Sequence, residues 1–362
     1  MQKGILSFKD KYKTDPQFKR VVKSFSLIAI IAIVIILGIA AIIRYGPNES
    51  FVRASKSLVD GLALSMLLFL MVSGFYLIFG LCDVINFAHG SFFMLGGFMG
   101  FFIYLGTESA LIDMMGTTSP FVISILSFAV SAIGATAVLA IIGGGIEIFT
   151  IRRLYGNVIA QILLTVGFMF VITQISEILW GTSVITYFIG PSSQLNYFFI
   201  SGILDFGGAL KFEFYRLFLI FLGLAVAFIM FVAFQKTRIG LQIQAGIEDS
   251  EMVEALGTDI KKLFTLVFML GAGLAGFSGA VLVPWIGANT GHGLTYLIFA
   301  FVIVVVGGAH YGRFEGTFFG ALIVGLSMQF SAYFLPGLES IIVFIIMAII
   351  LILKPGGLTG HA

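Results

Sequence analysis

Residues 61–106 decide the fold of this chain, and they read GLALSMLLFLMVSGFYLIFGLCDVINFAHGSFFMLGGFMGFFIYLG. Two apolar runs, 60–81 and 91–106, flank a polar stretch at 82–90 that holds an aspartate, an asparagine and a histidine. A helix needs about 20 apolar residues to cross the hydrocarbon core of a bilayer. The stretch therefore predicts one membrane span, a break in the helical backbone, and a second apolar segment that is too short to cross unaided.

The composition of the whole chain also indicates a membrane protein. Hydrophobic residues make up 59% of the 362 residues and charged residues only 10%, with a mean hydropathy of +1.10. A soluble domain carries about 25% charged residues, so most of this surface faces something other than water. The net charge of +2 gives no reason to expect a nucleic-acid partner, and one cysteine, Cys82, allows no intrachain disulfide. We therefore predict an all-α polytopic membrane protein.

The apolar runs predict about ten transmembrane helices. The first follows a basic N-terminal segment, 1–24, and forms an additional N-terminal helix within 25–45. The basic loops at Arg152 and at 235–262 fall on the same side as this segment, which the positive-inside rule places in the cytoplasm. Both termini are therefore expected to be cytoplasmic. The predicted spans are 25–43, 60–81, 91–106, 120–148, 157–180, 212–234, 263–283, 295–309, 317–335 and 338–353.

A second polar break, 307–316, adjoins another short apolar segment, 295–309. Non-helical backbone at membrane depth is tolerated only where protein buries it or where it lines a water-filled cavity. In transporters, interrupted segments of this kind mark the substrate path. The break at 82–90, where Gly90 is expected to free the backbone, therefore predicts a discontinuous or re-entrant element on such a path. The candidate residues are Asn86, Phe87, His89, Gly90 and Phe93.

The same break has a purely structural alternative. Asparagine and glycine are common at helix ends and tight turns, where a side chain caps free backbone N–H groups. Asn86 and His89 would then hold helix ends and contact no substrate. The sequence leaves both interpretations open.

The segment 235–262 is the most distinctive polar loop. It contains one short amphipathic helical pattern, for which Asp249 and Ser250 are candidate N-cap residues and Gly257 is a stop signal. A short helix with an acidic side at the cytoplasmic face is either a docking element for a soluble partner or an ordinary solvated helix. Composition alone does not decide between the two.

No catalytic or nucleotide-binding motif occurs in the sequence. The Gly-x4-Gly-Lys-Ser/Thr loop, the His-Glu-x-x-His motif and the Gly-x-Ser-x-Gly elbow are absent, and the four histidines have no paired spacing. We therefore expect this chain to be no enzyme and to bind no metal or cofactor.

Several motifs, in the order in which they occur, resemble those of permeases from branched-chain amino acid ABC importers. The letters NFAHG at 86–90 are similar to the N-F-A-H-G signature of that family. The resemblance covers about residues 60–358, with departures at Ser91, Gln242 and Gln244. Four further stretches carry it: 237–240 with Ala245, 248–249 and 256–257; 271–276; 307–308 with Gly316 and 320–321; and 354–358.

The resemblance implies an ABC importer permease fold over 60–358, with a cytoplasmic coupling segment at about 235–262. It implies a second permease subunit, homologous or identical, two cytoplasmic ATPase subunits that use the ATP, and an extracytoplasmic substrate-binding protein. The complex would lie in the lipid of the plasma or inner membrane. The residues implied to couple the permease to the ATPases are Gln244, Gly246, Glu248, Asp249, Glu251, Leu256 and Gly257.

The implied substrates are branched-chain or hydrophobic amino acids, and relatives of the family also carry urea, short amides or aromatic acids. The alternatives are a stand-alone secondary transporter or channel for a small solute, and an intramembrane enzyme. A proton- or sodium-coupled carrier needs buried carboxylates with partners. Glu147 and Glu177 are the only mid-chain candidates in the sequence, and both lie near predicted helix ends.

Overall fold

The computed structural model describes residues 46–82, 84–116, 120–186, 202–205, 211–248, 250–308, 314–354 and 356–358. The helices in these ranges are α1 Pro47–Cys82, α2 Ala88–Met115, α3 Pro120–Phe149, α4 Val158–Trp180, α5 Phe214–Lys236, α6 Arg238–Glu248, α7 Ser250–Ala255, α8 Ile260–Ile286, α9 His292–Gly307, α10 Phe314–Phe334 and α11 Glu339–Leu353. A 3-10 turn, Ile151–Leu154, lies between α3 and α4, and two short strands, β1 Ile203–Asp205 and β2 Lys211–Glu213, precede α5.

The prediction of an all-α polytopic membrane protein is confirmed. Within the described ranges, α1, α2, α3, α4, α5, α8 and α10 are long and apolar enough to cross a membrane. The helices α9 and α11 are shorter, with 16 and 15 residues. The nine predicted spans from 60–81 to 338–353 each match one of these nine helices. The tenth predicted span, 25–43, and the basic segment 1–24 lie outside the described residues.

The prediction that the segment after the first break is too short to cross is wrong. α2 starts at Ala88, inside the predicted break, and continues for 28 residues. Its last part contains polar residues that the sequence analysis assigned to a loop. The Thr107 hydroxyl donates to the carbonyl oxygen of Ile103 at 2.8 Å, and the Tyr104 hydroxyl donates to Glu108 at 3.1 Å. Because side chains on the helix satisfy one another and the helix backbone, α2 extends past the end of the apolar run.

The prediction that the second apolar segment, 295–309, is short is confirmed, because α9 has 16 residues. α9 ends at a glycine C-cap, Gly308, whose φ of 77° lies in the left-handed region that glycine adopts without strain. The N–H of Leu358 donates to the carbonyl oxygen of Val306 at 2.9 Å, so the C-terminal segment holds this helix end. The centre of the second break, 309–313, lies outside the described residues.

α8 lies at the centre of the bundle and packs against α1, α2 and α3. A Cβ atom on Gly74 of α1 would lie 2.4 Å from the carbonyl oxygen of Gly271, and one on Gly96 of α2 would lie 2.4 Å from the Cα of Gly276. A Cβ on Gly143 of α3 would lie 2.3 Å from the side chain of an α8 alanine. The helices therefore touch through their backbones, as small residues permit in membrane proteins.

The other helices are arranged around this centre. α1 also packs against α10, α5 and α9, and α9 packs against α10, α2 and α11. The spans α4 and α5 are the least buried and lie at the periphery. The strands β1 and β2 form an antiparallel hairpin in which Ile203 lies opposite Glu213.

The segment 235–262 forms two helices, α6 and α7, where the sequence analysis predicts one. The N–H of Gly240 donates to the Thr237 hydroxyl at 3.0 Å, which caps the start of α6. A Cβ on Gly240 would lie 2.2 Å from the carbonyl oxygen of Ala233, so only glycine allows this close return from α5. α7 ends near Gly257, which has a φ of 89°, as the stop signal predicts.

We predict that Gly96→Ala destabilises the bundle by about 1–3 kcal/mol, because a methyl group there forces the α2 and α8 backbones apart. The matched control is Gly106→Ala on the same helix, where no atom lies within 4 Å of the added carbon. That change removes the glycine penalty of a helix and should leave stability equal or slightly higher. Thermal unfolding of the detergent-purified variants measures both, and equal unfolding temperatures would contradict the close packing.

Candidate functional site

The first candidate group lies where the chain passes from α1 to α2. Asn86 precedes α2, Phe87 is its N-cap residue, and His89, Gly90 and Phe93 lie in its first two turns. The side chains of Asn86, His89 and Phe93 are fully buried. The structure therefore brings all five of these predicted residues together inside the bundle.

Asn86 caps the start of α2. Its Oδ1 accepts a hydrogen bond from the N–H of Ala88 at 3.1 Å, and its carbonyl oxygen accepts one from the N–H of His89 at 3.2 Å. These bonds satisfy backbone donors that helix geometry leaves free. The capping interpretation therefore applies to Asn86. Its amide nitrogen Nδ2 is buried and has no hydrogen-bond partner among the described residues.

His89 joins α2 to α1 and does not cap a helix. Its Nε2 lies 3.0 Å from the carbonyl oxygen of Met71, and its ring meets Phe75 edge-on with the centroids 5.4 Å apart. Because a carbonyl oxygen only accepts, Nε2 carries the proton and Nδ1 of the neutral ring is an acceptor. That Nδ1 is buried and unpaired in the part of the chain that the structure describes. Asn86 and His89 thus present one donor and one acceptor that no described residue satisfies.

The expectation that Gly90 frees the backbone is wrong. Gly90 lies within α2, and a Cβ there would lie 2.1 Å from the carbonyl oxygen of Gly293 and 2.7 Å from the Cβ of Leu297. Its missing side chain instead lets α2 approach α9. Phe93, one turn later, packs against Tyr296 with ring centroids 4.7 Å apart. The group therefore lies at a contact between α1, α2 and α9.

The second candidate group lies on α6 and α7, and part of it is internal. The Nε2 of Gln244 donates to the carbonyl oxygen of Phe234 at 3.3 Å, and Gly246 is buried. The hydrogen bond of Gln244 therefore holds α6 against the end of α5. The Glu248 side chain and Asp249 lie outside the described residues.

The rest of the second group faces outward on α7. Leu256 is 78% exposed and Met252 is 57% exposed, with Glu251 and Glu254 exposed beside them. The same helix buries Val253 in an apolar cluster. We call the four exposed residues, Glu251, Met252, Glu254 and Leu256, the docking face. Its combination of apolar and acidic side chains is suited to contact with another protein.

α8 starts directly after the docking face, at a well-defined cap. The Oδ1 of Asp259 accepts from the N–H of Lys262 at 3.2 Å, and its Oδ2 lies 3.1 Å from the Lys262 ammonium group. These interactions with Lys262 hold the pKa of Asp259 below its usual range. The carboxylate therefore stays ionised and keeps the first turn of α8 in place.

A third group, which the sequence analysis did not assemble, surrounds Glu147 near the end of α3. Its side chain is fully buried, and its two oxygens accept from Arg152 at 3.0 and 2.9 Å. Glu147 also accepts from the Tyr155 hydroxyl at 3.2 Å and from the Thr265 hydroxyl at 2.7 Å. Arg152 donates to Thr265 as well. We call these four residues, which connect α3, the 3-10 turn and α8, the Glu147 joint.

A fourth group lies around Arg216 at the start of α5. Its guanidinium group pairs with Asp60 of α1 and donates two hydrogen bonds to the Glu213 carboxylate, each at 3.1 Å. The Tyr333 hydroxyl of α10 donates to Asp60 at 2.7 Å, and the Arg216 guanidinium carbon lies 5.6 Å from the Trp285 ring centroid. This group therefore ties α1, α5, α8 and α10 together.

The third and fourth groups lie at opposite ends of α8. Thr265 and Trp285 are separated by about 30 Å along the helix axis at about 1.5 Å per residue, which is close to the thickness of the hydrocarbon core. A lone arginine and a lone aspartate in apolar runs were the available sequence signals for Arg216 and Asp60. Their pairing is not visible in the sequence, because Asp60 and Arg216 are 156 positions apart in the chain.

Glu177, the other carboxylate considered in the sequence analysis, has a different environment from Glu147. It lies on α4 beside the exposed Gln174, whose Nε2 is 3.4 Å from its Oε2. The described residues also hold no group of three or more His, Cys, Asp or Glu side chains that would bind a metal ion.

The fold and these residues define a multi-pass membrane protein of the transport permease class. The chain belongs to the family described as branched-chain amino acid transport system, permease component, whose match covers residues 57–351. This family places it among the permease subunits of ABC importers.

Individual relatives agree with the family match. The chain is 26% identical over 312 residues to the high-affinity branched-chain amino acid transport system permease protein BraD of Pseudomonas aeruginosa, covering 84% of this chain and 95% of that protein. It is 23% identical over 317 residues to LivH of Salmonella typhimurium, covering 87% and 98%, and 25% identical over 322 residues to a probable LivH of Methanocaldococcus jannaschii, covering 84% and 92%. No solved structure matches the chain.

We predict that Asp60→Asn lowers the stability of the purified protein by about 1.5–3 kcal/mol, because it removes a charged partner from the poorly exposed Arg216. Glu213→Gln is the matched control on the same arginine. The Glu213 side chain is 46% exposed, so its pair should contribute about 0–1 kcal/mol. Thermal unfolding in detergent compares the two, and an equal loss in both variants would contradict the assigned role of Asp60.

Proposed function

We propose that this chain forms part of the membrane pathway of an ATP-driven importer for branched-chain amino acids. The observation that carries this proposal is the extent of the family match, because residues 57–351 contain the helices α2 to α10 completely and most of α1 and α11. The relatives named above are branched-chain amino acid permease proteins, and the match to this chain covers nearly their whole length. An apolar side chain of a substrate would suit the phenylalanines that surround the start of α2.

The importer would contain a second permease subunit, two ATPase subunits and a substrate-binding protein. The docking face supports an ATPase partner for two reasons. Its apolar Leu256 is exposed and available for contact with another protein, and α7 is followed directly by the central helix α8. The chain has no nucleotide-binding loop of its own. ATP would therefore be hydrolysed by the partner subunits, and this chain would bind no cofactor.

The importer would lie in the plasma or inner membrane, with the docking face in the cytoplasm. The basic residues near that end of the bundle, which include Arg153, Lys236, Arg238 and Lys261, support this orientation through the positive-inside rule. The substrate-binding protein would then deliver its amino acid at the end that carries Arg216.

The substrate path would pass the start of α2. The unpaired Nδ2 of Asn86 and Nδ1 of His89 support this position, because buried polar atoms without partners are costly and no described residue pairs with either atom. A donor and an acceptor are the groups needed to hold the carboxylate and the ammonium of an amino acid during passage. Opening of the contact between α2 and α9 would expose them.

Reconstitution of the complete complex in proteoliposomes tests the function. With the binding protein outside and ATP inside, we expect uptake of radiolabelled leucine, isoleucine or valine that stops when ATP is left out. Uptake by this chain alone without ATP would instead establish a stand-alone secondary transporter or channel. ATP-dependent uptake of urea, a short amide or an aromatic acid, with none of leucine, would keep the importer and change its substrate.

We predict that Asn86→Ser separates the capping role of Asn86 from its role on the path. A serine hydroxyl makes the same local turn bond to the N–H two residues on, so α2 should still start normally, but the donor of the Asn86 amide is lost. If Asn86 contacts substrate, uptake should fall about tenfold, which corresponds to about 1.4 kcal/mol, while ATPase subunits still assemble. Wild-type uptake by Asn86→Ser together with reduced stability of Asn86→Leu would show that Asn86 is only a cap.

We predict that Leu256→Asp weakens ATPase binding at least about tenfold, because a charge then replaces an apolar contact in the interface. Ile203→Asp is the matched control, since Ile203 is 63% exposed on the hairpin away from the docking face. Co-purification of the ATPase subunits with each variant is the measurement. Retention of the ATPase by Leu256→Asp would place the docking site elsewhere.

A further inference from the structure

The Glu147 joint has a composition that stability alone does not explain. A buried ion pair contributes little net stability, and apolar residues of similar size in its place are often as stable. Here a carboxylate with 0% exposure accepts bonds from three other side chains, one of which, Arg152, keeps 31% exposure. In some proteins, a buried charged network selects one arrangement of the elements that it connects.

The Glu147 joint lies beside the coupling segment, and one apolar cluster contains residues from the elements of both. Val253 of α7 and Ile243 of α6 belong to the same apolar cluster as Ile151 of the 3-10 turn and Ile260 and Leu263 of α8. A displacement of α6 and α7 therefore acts on the 3-10 turn and on the start of α8 together. Arg152 follows Ile151 directly in the 3-10 turn. On α8, Thr265 comes two residues, about half a turn, after Leu263.

The carboxylate of Glu147 is bonded both to Arg152 in the 3-10 turn and to Thr265 in α8. Hydrogen bonds have a narrow range of distance and angle, whereas apolar side chains slide past one another with little change in contact. Arg152 and Thr265 thus fix Glu147, and with it the end of α3, relative to α8. The same apolar cluster includes Cys82, the last residue of α1, which lies just before the stretch that leads to Asn86.

We propose that Glu147 is a positioning residue for transport, which makes α3 and α8 follow the coupling segment when the ATPases change state. This inference rests on the proposed importer function. Glu147 touches neither substrate nor nucleotide, and acts through Arg152 and Thr265. Without its charge, ATP hydrolysis continues but moves the membrane helices less efficiently.

The test measures ATP hydrolysed per amino acid imported by the reconstituted complex. Glu147→Gln should assemble and hydrolyse ATP, and should raise the ratio of ATP to imported substrate at least about fivefold, the lower range of typical coupling between sites. Glu177→Gln on α4 is the control for loss of a carboxylate, and its ratio should equal that of the wild type. An assembled Glu147→Gln complex with the wild-type ratio would overturn the proposal.

Substitutions at Thr265 provide an independent test that leaves every charge in place. Thr265→Val keeps the shape but loses the hydroxyl bond between α8 and Glu147, and should raise the ratio. Thr265→Ser keeps the hydroxyl and should restore the wild-type ratio. If Glu147→Gln does not fold, this pair decides, and equal ratios in Thr265→Val and Thr265→Ser would overturn the proposal.

The double variant Glu147→Gln/Arg152→Gln distinguishes a shared interaction from two separate effects. Because both changes remove the same ion pair, the double variant should be no worse than the more severe single variant. Additive losses would overturn the proposal. If wild-type vesicles show no ATP-dependent uptake, the proposed importer function itself fails, which is distinct from a wild type that imports and a Glu147→Gln variant that couples normally.

Discussion

The backbone contact of α8 with α1, α2 and α3 is the constraint on which the rest of the structure depends. Lipid offers no hydrophobic driving force between helices, so their association relies on close packing and on hydrogen bonds. Gly271 and Gly276 of α8 meet glycines of α1 and α2 at distances that leave no room for a methyl group. These contacts fix the positions of the three helices to which the candidate path residues and the Glu147 joint belong.

Polar groups then occupy the places that this packing creates. Asn86 and His89 lie at the junction of α1, α2 and α9, where Gly90 meets Gly293. Charged pairs lie at the two ends of α8, one around Glu147 and one around Arg216. Because each of these charges has a partner, the bundle carries them near or within the membrane at a tolerable cost.

The arrangement relates the two candidate groups to each other. The docking face is exposed on α7, while the first two turns of α2 are buried in a different apolar cluster. The helix α8, which begins after α7 and runs through the centre, is the element that connects the two regions. Under the proposed function, the energy from an ATPase partner would have to reach the substrate path through such a connection.

The sequence by itself determined the membrane class, the nine described spans and the short length of α9, because hydrophobicity and length decide which segments enter a bilayer. It also located the cap at Asn86 and the α7 stop at Gly257, since caps and turns are local. Only the tertiary structure decided that Gly90 serves a helix contact and that Glu147 meets Thr265. Those features depend on residues far apart in the chain, and no local pattern specifies which helices become neighbours.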